Sequence, residues 1–363
     1  MSVKKNQHYV PQSYLRLFSY DKKNIGVYNS AKDITTIGPI RHQASDDYFY
    51  SEDLDIEDRL KDIEDLGIES FKGIITCDKY EWELIEYLNA YVFIIIQYAR
   101  TLISAKSFEE KSQEILINML KAQTGLKEID PHLKFHFERP VLWSISTYSS
   151  LLSSCLDLRY KILMIDKERV GERFITSDNP ACMFNPFFKA CKIKNSEGIS
   201  LGSKGLIIFI AITPLHAILI YDADTYKIGN RLGRVTITNN KDVSILNKLI
   251  AINSNEVLFY KQDLPISPEI KGFAYDIKNC RKQIPNILTV NQDCSLSFVR
   301  ILSKAKALIG QKEISPHMLY RDFTLHLIEN PDFKEFLDGK WGTATPEERK
   351  LFYQELRKSN SIR

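Results

Sequence analysis

An α+β fold is expected of this chain, with helix-rich N-terminal and C-terminal parts around a central, mostly antiparallel sheet. Three features lead there. Apolar residues recur at helical spacing in long stretches before residue 160. Short runs of β-branched and aromatic residues, several joined by turn residues, fill the stretch from 160 to 260. Beyond about residue 300 the pattern returns to helices and becomes more polar. Helices and strands that segregate along the chain belong to the α+β class rather than to alternating βαβ units.

The opening, His8-Tyr9-Val10-Pro11-Gln12-Ser13-Tyr14-Leu15-Arg16-Leu17-Phe18, reads as a short helix. Pro11 suits its first position, where a missing N–H costs nothing. Tyr14, Leu15 and Phe18 would form one apolar face, with His8 near the helix N-terminus. Residues 24 to 28 and 46 to 50 are strand-like. From 53 to about 77, Ile56, Leu60, Ile63, Leu66, Phe71 and Ile74 keep a helical period. Asp53, Asp55 and Glu57 crowd its first turn, where they complement the helix dipole.

Residues 80 to 105 read as the most apolar helix. Glu81, Glu83, Glu86, Asn89, Gln97 and Arg100 interrupt it. That leaves far fewer than the roughly 20 unbroken apolar residues of a membrane span, so a buried central helix is expected. Amphipathic helices follow over 107 to 124, ending at Gly125, and over about 138 to 157. Strands are expected at 160–165, 173–176, 206–212 and 217–221, the last two joined as a hairpin through Thr213-Pro214-Leu215-His216. A helix over 242–252 and a strand over 256–260 come next. The stretch 264–295, with Pro265, Pro268 and Pro285, has little pattern, and 346–358 reads as a solvated helix. The expected organisation is a core over residues 1–265 and a mainly helical extension, 266–363, packed on it.

Composition narrows the class. The apolar share of 44% and charged share of 26% over 363 residues suit a folded globular chain. With 18 tyrosines and 19 phenylalanines, a bulky aromatic core is expected rather than disorder. The net charge of +3, from 49 basic and 46 acidic residues, is too small to mark a nucleic-acid surface, although a local basic patch fits inside a balanced total. The six cysteines form no CxxC pair, which argues against a zinc ribbon. Residues 1 to 7 are short and polar, unlike a signal peptide. A cytoplasmic location without membrane attachment is therefore expected, with free thiols.

Several separated blocks resemble a bacterial family catalogued as domain of unknown function 4238. They are the His8-Tyr9-Val10-Pro11-Gln12 opening with Tyr14, Leu15 and Phe18, and Phe49-Tyr50 followed by the helix carrying Glu64. Gln97-Tyr98-Ala99-Arg100-Thr101 and Phe174-Ile175-Thr176-Ser177-Asp178-Asn179-Pro180 follow. Thr213-Pro214-Leu215, Asn247 and Val257-Leu258-Phe259-Tyr260 are weaker matches. Together they cover roughly residues 8 to 260 in order. Two departures stand out: Thr101-Leu102 where Thr-Pro is expected, and Ala181 where valine is expected. The resemblance names a family without an established reaction.

Candidate site residues come from these blocks. His8 suits a metal ligand or general base, because its ordinary pKa lies near neutrality; its plainer role is to cap the first helix. Gln12 would orient His8 or serve structure alone. Glu64 sits at the edge of an apolar helix face, as a solvated carboxylate or a site residue. Gln97 and Arg100, three apart on the central helix, need partners once buried, and arginine cannot discharge itself. The partner is a structural carboxylate or a bound anion. Asp178 follows a strand, either in an ordinary turn or as a catalytic carboxylate at the mouth of the sheet. His132 and His136 lack the glutamate of a zinc protease helix and read as surface residues. Gly202-Ser203-Lys204-Gly205 lacks Walker spacing, and a nucleophile-elbow serine is absent.

Two functions fit this inventory. In the first, His8, Glu64 and Asp178 are catalytic and hold Mg²⁺ or Mn²⁺, while Gln12, Gln97 and Arg100 bind substrate. That is a phosphodiester hydrolase, a nuclease acting on nucleic acid or a nucleotide, in bacterial defence. In the second, the same polar cluster is a non-catalytic module that binds a small anionic ligand or fixes the fold.

Overall fold

The computed structural model describes residues 6–50, 55–77, 82–125, 128–130, 133–152, 156–193, 199–230, 233–280, 295–311 and 314–321. In chain order the elements are β1 (Asn6–His8), α1 (Gln12–Leu15), β2 (Asn24–Asn29), β3 (Ile34–Pro39), β4 (Ser45–Asp47), α2 (Asp55–Thr76), α3 (Leu84–Ala99), α4 (Leu102–Thr124) and α5 (Pro140–Ser150). Then come β5 (Arg159–Ile165), β6 (Thr176–Ser177), β7 (Cys182–Phe184), α6 (Pro186–Ala190), β8 (Ile207–Ala211), β9 (His216–Tyr221), β10 (Tyr226–Ile228) and β11 (Arg234–Ile237). The chain continues through α7 (Asn240–Asn253), β12 (Val257–Tyr260), α8 (Pro268–Cys280), β13 (Val299–Ile301) and α9 (Ser303–Ile309). The fold is α+β, as the pattern indicates.

The central sheet has the order β11-β5-β9-β8-β7, antiparallel except for the β11–β5 pair. Every residue of β8 is buried, so this strand is covered on both faces. Thr213 forms the β8–β9 turn, its side chain accepting the amides of Leu215 and His216. A second sheet, β3-β2-β12-β6, is wholly antiparallel. Two small ribbons, β1–β4 and β10–β13, complete the strands. Tyr14 of α1 is fully buried between the sheets. Its hydroxyl bonds Thr176 Oγ1 at 2.8 Å and donates to the Ala211 carbonyl at 2.5 Å. A chain of rings, Tyr14–Phe93–Phe71–Trp82, then joins α1 to α3 and α2.

Four expectations change. First, His8 ends a strand, not a helix, and Pro11 precedes α1 with φ −59° and ψ 139°. Pairing of β1 with β4, and the Tyr9 and Val10 amides on the Ala44 carbonyl, hold this stretch extended, which the proline already favours in the residue before it. Second, the central helix breaks after Ala99. Thr101 is extended and its side chain accepts the Ser104 amide, so α4 begins there at 64° to α3. Third, the strand expected at 173–176 is confined to Thr176–Ser177, because Phe174 and Ile175 bond instead to Pro214 and to the Asn247 side chain. Fourth, the weakly patterned stretch contains α8, which lies against α7.

The described part of the C-terminal stretch is joined to the rest by β13 on β10 and by a bridge between Ser203 and Tyr320. The helix expected at 346–358 and His132 lie outside the described residues. His136 is exposed. Among the described residues no single helix is long and apolar enough to cross a membrane; α3 and α4 pass that test only together, as a bent pair.

Candidate functional site

Arg100 ends α3 and is 2% exposed. Its Nε donates to the Tyr9 carbonyl at 3.1 Å and one terminal nitrogen to the His8 carbonyl at 2.9 Å. The other reaches Glu64 Oε1 at 2.6 Å. The guanidinium also lies 5.8 Å from the centre of the Tyr50 ring. Burial opposes the charge, but Tyr50, Glu64 and Glu57 more than offset it and raise the pKa. Gln97, one turn earlier, donates to the same Tyr9 carbonyl at 2.9 Å. The Tyr50 hydroxyl adds a bond to the His8 carbonyl at 3.1 Å, and the Tyr50 amide donates to Gln7 Oε1 at 2.7 Å. The carbonyls of His8 and Tyr9 are thus clamped by three side chains, Tyr50 and, from the end of α3, Gln97 and Arg100.

What the clamp holds is the His8 ring. Its Nε2 is buried and has no hydrogen-bond partner. The Arg41 backbone beside the ring favours its charged form. The neutral tautomer that carries its proton on Nδ1 offers Nε2 as an acceptor. Burial, above all, holds the ring's pKa below the ordinary histidine value. Arg100, Arg16 and His42 push the same way, and the Arg41 bond pushes against them.

His8 borders a cavity of about 280 Å³ between α1 and α2, lined also by Gln12, Arg16, Tyr50, Glu57, Asp58, Lys61, Glu64 and Asp65. Arg16 donates to Gln12 Oε1 at 2.9 Å. Among the described residues four carboxylates face two cations here, and Arg100 balances Glu64 from behind. The cavity therefore carries an acidic surplus.

Asp178 does something else. Fully buried after β6, its carboxylate accepts the amides of Asn255, Glu256 and Val257 at 2.7, 2.8 and 3.0 Å. Burial raises its pKa against the pull of those amides and of Lys278. It ties the turn after β6 to the start of β12 and does not line the His8 cavity. Its charge is felt at the Tyr9 phenol, whose pKa is raised by burial first and by Asp178 next.

The six expected residues thus do not converge as one pocket. His8, Gln12 and Glu64 line the cavity, Gln97 and Arg100 hold its wall from behind, and Asp178 belongs to a separate backbone junction. Of the expected His8–Glu64–Asp178 metal set, His8 and Glu64 share the cavity and Asp178 does not line it; among the described residues no three histidine, cysteine or carboxylate side chains are grouped to hold a metal ion. Sequence reasoning missed Arg16, Glu57, Lys61 and Tyr50. The signal available for Arg16 and Lys61 was their placement beside the family-like blocks that carry His8 and Glu64. Cys77, Cys182 and Cys191 are free thiols.

Fold and site together define an α+β protein whose N-terminal strand is clamped by a buried arginine and presents a histidine to an acidic cavity. The chain belongs to the family of proteins of unknown function DUF4238, whose model matches residues 6–263. Neither a curated protein nor a solved structure matches it significantly.

Proposed function

We propose that the His8 cavity is the active site of a divalent-cation-assisted phosphodiester hydrolase, a nuclease working in the cytoplasm in bacterial defence. One observation carries this reading. Arg100 and Tyr50 fix the His8 backbone from behind, while Nε2 is left as a buried acceptor without a partner. Precise support of a side chain that has no structural bond of its own at that atom suits a working group. In this reading His8 Nε2 takes a proton from water as the water oxygen attacks phosphorus, the opposite P–O ester bond breaks, and the departing oxygen takes a proton from solvent. Arg16 and Lys61 would face the phosphate. The acidic surplus requires a cation if a phosphodiester is to enter. Mg²⁺ is commonly held by one or two carboxylates plus substrate phosphate, so Glu57 or Glu64 would suffice without a three-residue cluster. The cation, Mg²⁺ or Mn²⁺, would supply charge neutralisation at the phosphoryl oxygens.

The test is cleavage of labelled single- and double-stranded DNA and RNA by the full chain in Mg²⁺, Mn²⁺ or EDTA. Cleavage that needs the cation and falls about 100-fold or more in His8→Ala, with thermal stability little changed, is expected. No cleavage of any of these substrates, or equal cleavage by His8→Ala, overturns the reading.

A second reading, a non-catalytic module, is favoured by a different observation: Gln97, Arg100 and Asp178 all bond to backbone and so fix the fold. It predicts no cleavage, together with thermal stabilisation by inorganic phosphate that Arg16→Ala removes.

A further inference from the structure

The Thr176–Pro180 segment carries a second feature that the His8 cavity does not absorb. Asn179 is 1% exposed. Its Nδ2 donates to the Asn253 carbonyl at 3.0 Å, and Asn253 Nδ2 returns bonds to the carbonyls of Asn179 and Ala181, both at 2.8 Å. This exchange fixes the amide's orientation, since a flip would set oxygen against oxygen. Asn179 Oδ1 is then left buried without a donor. Gln97 Oε1 and Asn89 Oδ1 share that condition, but neither lines this cavity.

Asn179 borders a cleft of about 270 Å³ between α4, α5 and the end of α7. Ser144 Oγ, also on the lining, donates to the Ala99 carbonyl at 2.8 Å. Its lone pairs remain as acceptors. Phe108 and Ile252 supply apolar wall, and Lys111 is exposed on the rim. No carboxylate lines the cleft among the described residues. The deep polar atoms thus call for hydrogen-bond donors. An ammonium would be buried there without a counter-charge, so a neutral donor fits. Among the described residues the rim offers one cation, Lys111, and suits an anion.

We propose that this cleft binds a nucleoside monophosphate whose base carries an exocyclic amine. The amine meets Asn179 Oδ1 and Ser144 Oγ, the ring lies along Phe108 and Ile252, and the phosphate meets Lys111. The volume is near the small end of ligand pockets, roughly 300–1,000 Å³, in keeping with a mononucleotide whose phosphate stays at the mouth. This site stands apart from the His8 cavity and does not depend on the hydrolase reading.

Calorimetric titration of the full chain with AMP, purine riboside 5′-monophosphate and adenosine tests it. Purine riboside monophosphate differs from AMP by a hydrogen in place of the amine. An acceptor left without its donor rejects it, by about tenfold or more. Adenosine should bind more weakly than AMP, and Lys111→Glu should abolish that difference. His8→Ala should leave AMP binding unchanged. Equal binding of AMP and purine riboside monophosphate, no AMP binding at millimolar concentration, or loss of AMP binding in His8→Ala would each overturn the proposal; the last would move the nucleotide to the other cavity.

Discussion

Arg100 donates to the carbonyl oxygen of His8 at 2.9 Å across 92 positions of sequence. Because the same guanidinium holds Tyr9 and Glu64, one side chain unites β1, α2 and the end of α3.

Breaking that union should be costly. Arg100→Leu leaves the Glu64 carboxylate without its ion pair and takes one of two side-chain donors from each of the His8 and Tyr9 carbonyls, so a loss of about 3–5 kcal/mol is expected in urea denaturation. Arg100→Lys should recover little, since an ammonium lacks the planar fork that reaches three acceptors. Glu64→Gln keeps an oxygen for Arg100 and should be milder than Glu64→Ala. A lysine variant as stable as the wild type would refute the three-way clamp.

Asp178→Asn offers the backbone one oxygen where the carboxylate offers two, and presents an N–H to amides that need an acceptor. A loss of about 3 kcal/mol is expected, of the size of one or two charged hydrogen bonds. Whatever activity the His8 cavity has should survive at temperatures where the variant is folded. Lost activity with unchanged melting would instead return Asp178 to the catalytic set.

His8 gives a pH dependence with a definite sign. Its folded pKa lies below the ordinary 6.5, chiefly through burial. Near pH 6 the unfolded chain therefore binds more protons than the folded one. Stability from this group is complete above 6.5 and is lost as pH falls through 6.5 and past the lowered value. The stability of the wild type relative to His8→Gln should drop between pH 7.5 and 5. Catalysis by Nε2 as base should follow the same limb: kcat/KM level above 6.5 and falling below it. A profile that falls on the alkaline side near 8 instead would exclude His8 as the base.

Gly67 sets how closely α2 approaches α3. A Cβ there would lie 2.4 Å from Phe93 Cβ and 2.6 Å from its Cγ. Gly67→Ala improves helix propensity, yet overpacking should dominate, with a net loss of about 1–3 kcal/mol. A more stable alanine variant would mean that the helices separate freely, contrary to the Arg100–Glu64 contact one turn away.

Much of this was legible in the sequence because periodicity reports burial. Ile56 to Ile74 gave α2, and the apolar runs around Thr213-Pro214 gave the β8–β9 hairpin. The break at Arg100 was written locally too, in Thr101 three residues before Ser104, but the surrounding apolar residues masked it. β10, β11 and β13 are too short to show a period. Ile270, Phe273 and Ala274 do mark α8, though neighbouring prolines obscured them. The site was harder for a different reason. Arg100, Gln97 and Asp178 bond to main-chain atoms, which leave no trace in the residue pattern. Arginine's need for a partner was readable; that two of its three acceptors would be carbonyls was not.

A grip on carbonyl oxygens is blind to the side chain it immobilises. Position 8 is in this sense a socket: Arg100 and Tyr50 would hold a cysteine, a glutamate or a labelled residue there as they hold histidine, apart from the ring's bond to Arg41. The chemistry offered to the cavity is thereby uncoupled from the scaffold that aims it. A spectroscopic probe or a different base can be installed at that point while the surrounding architecture stays as it is.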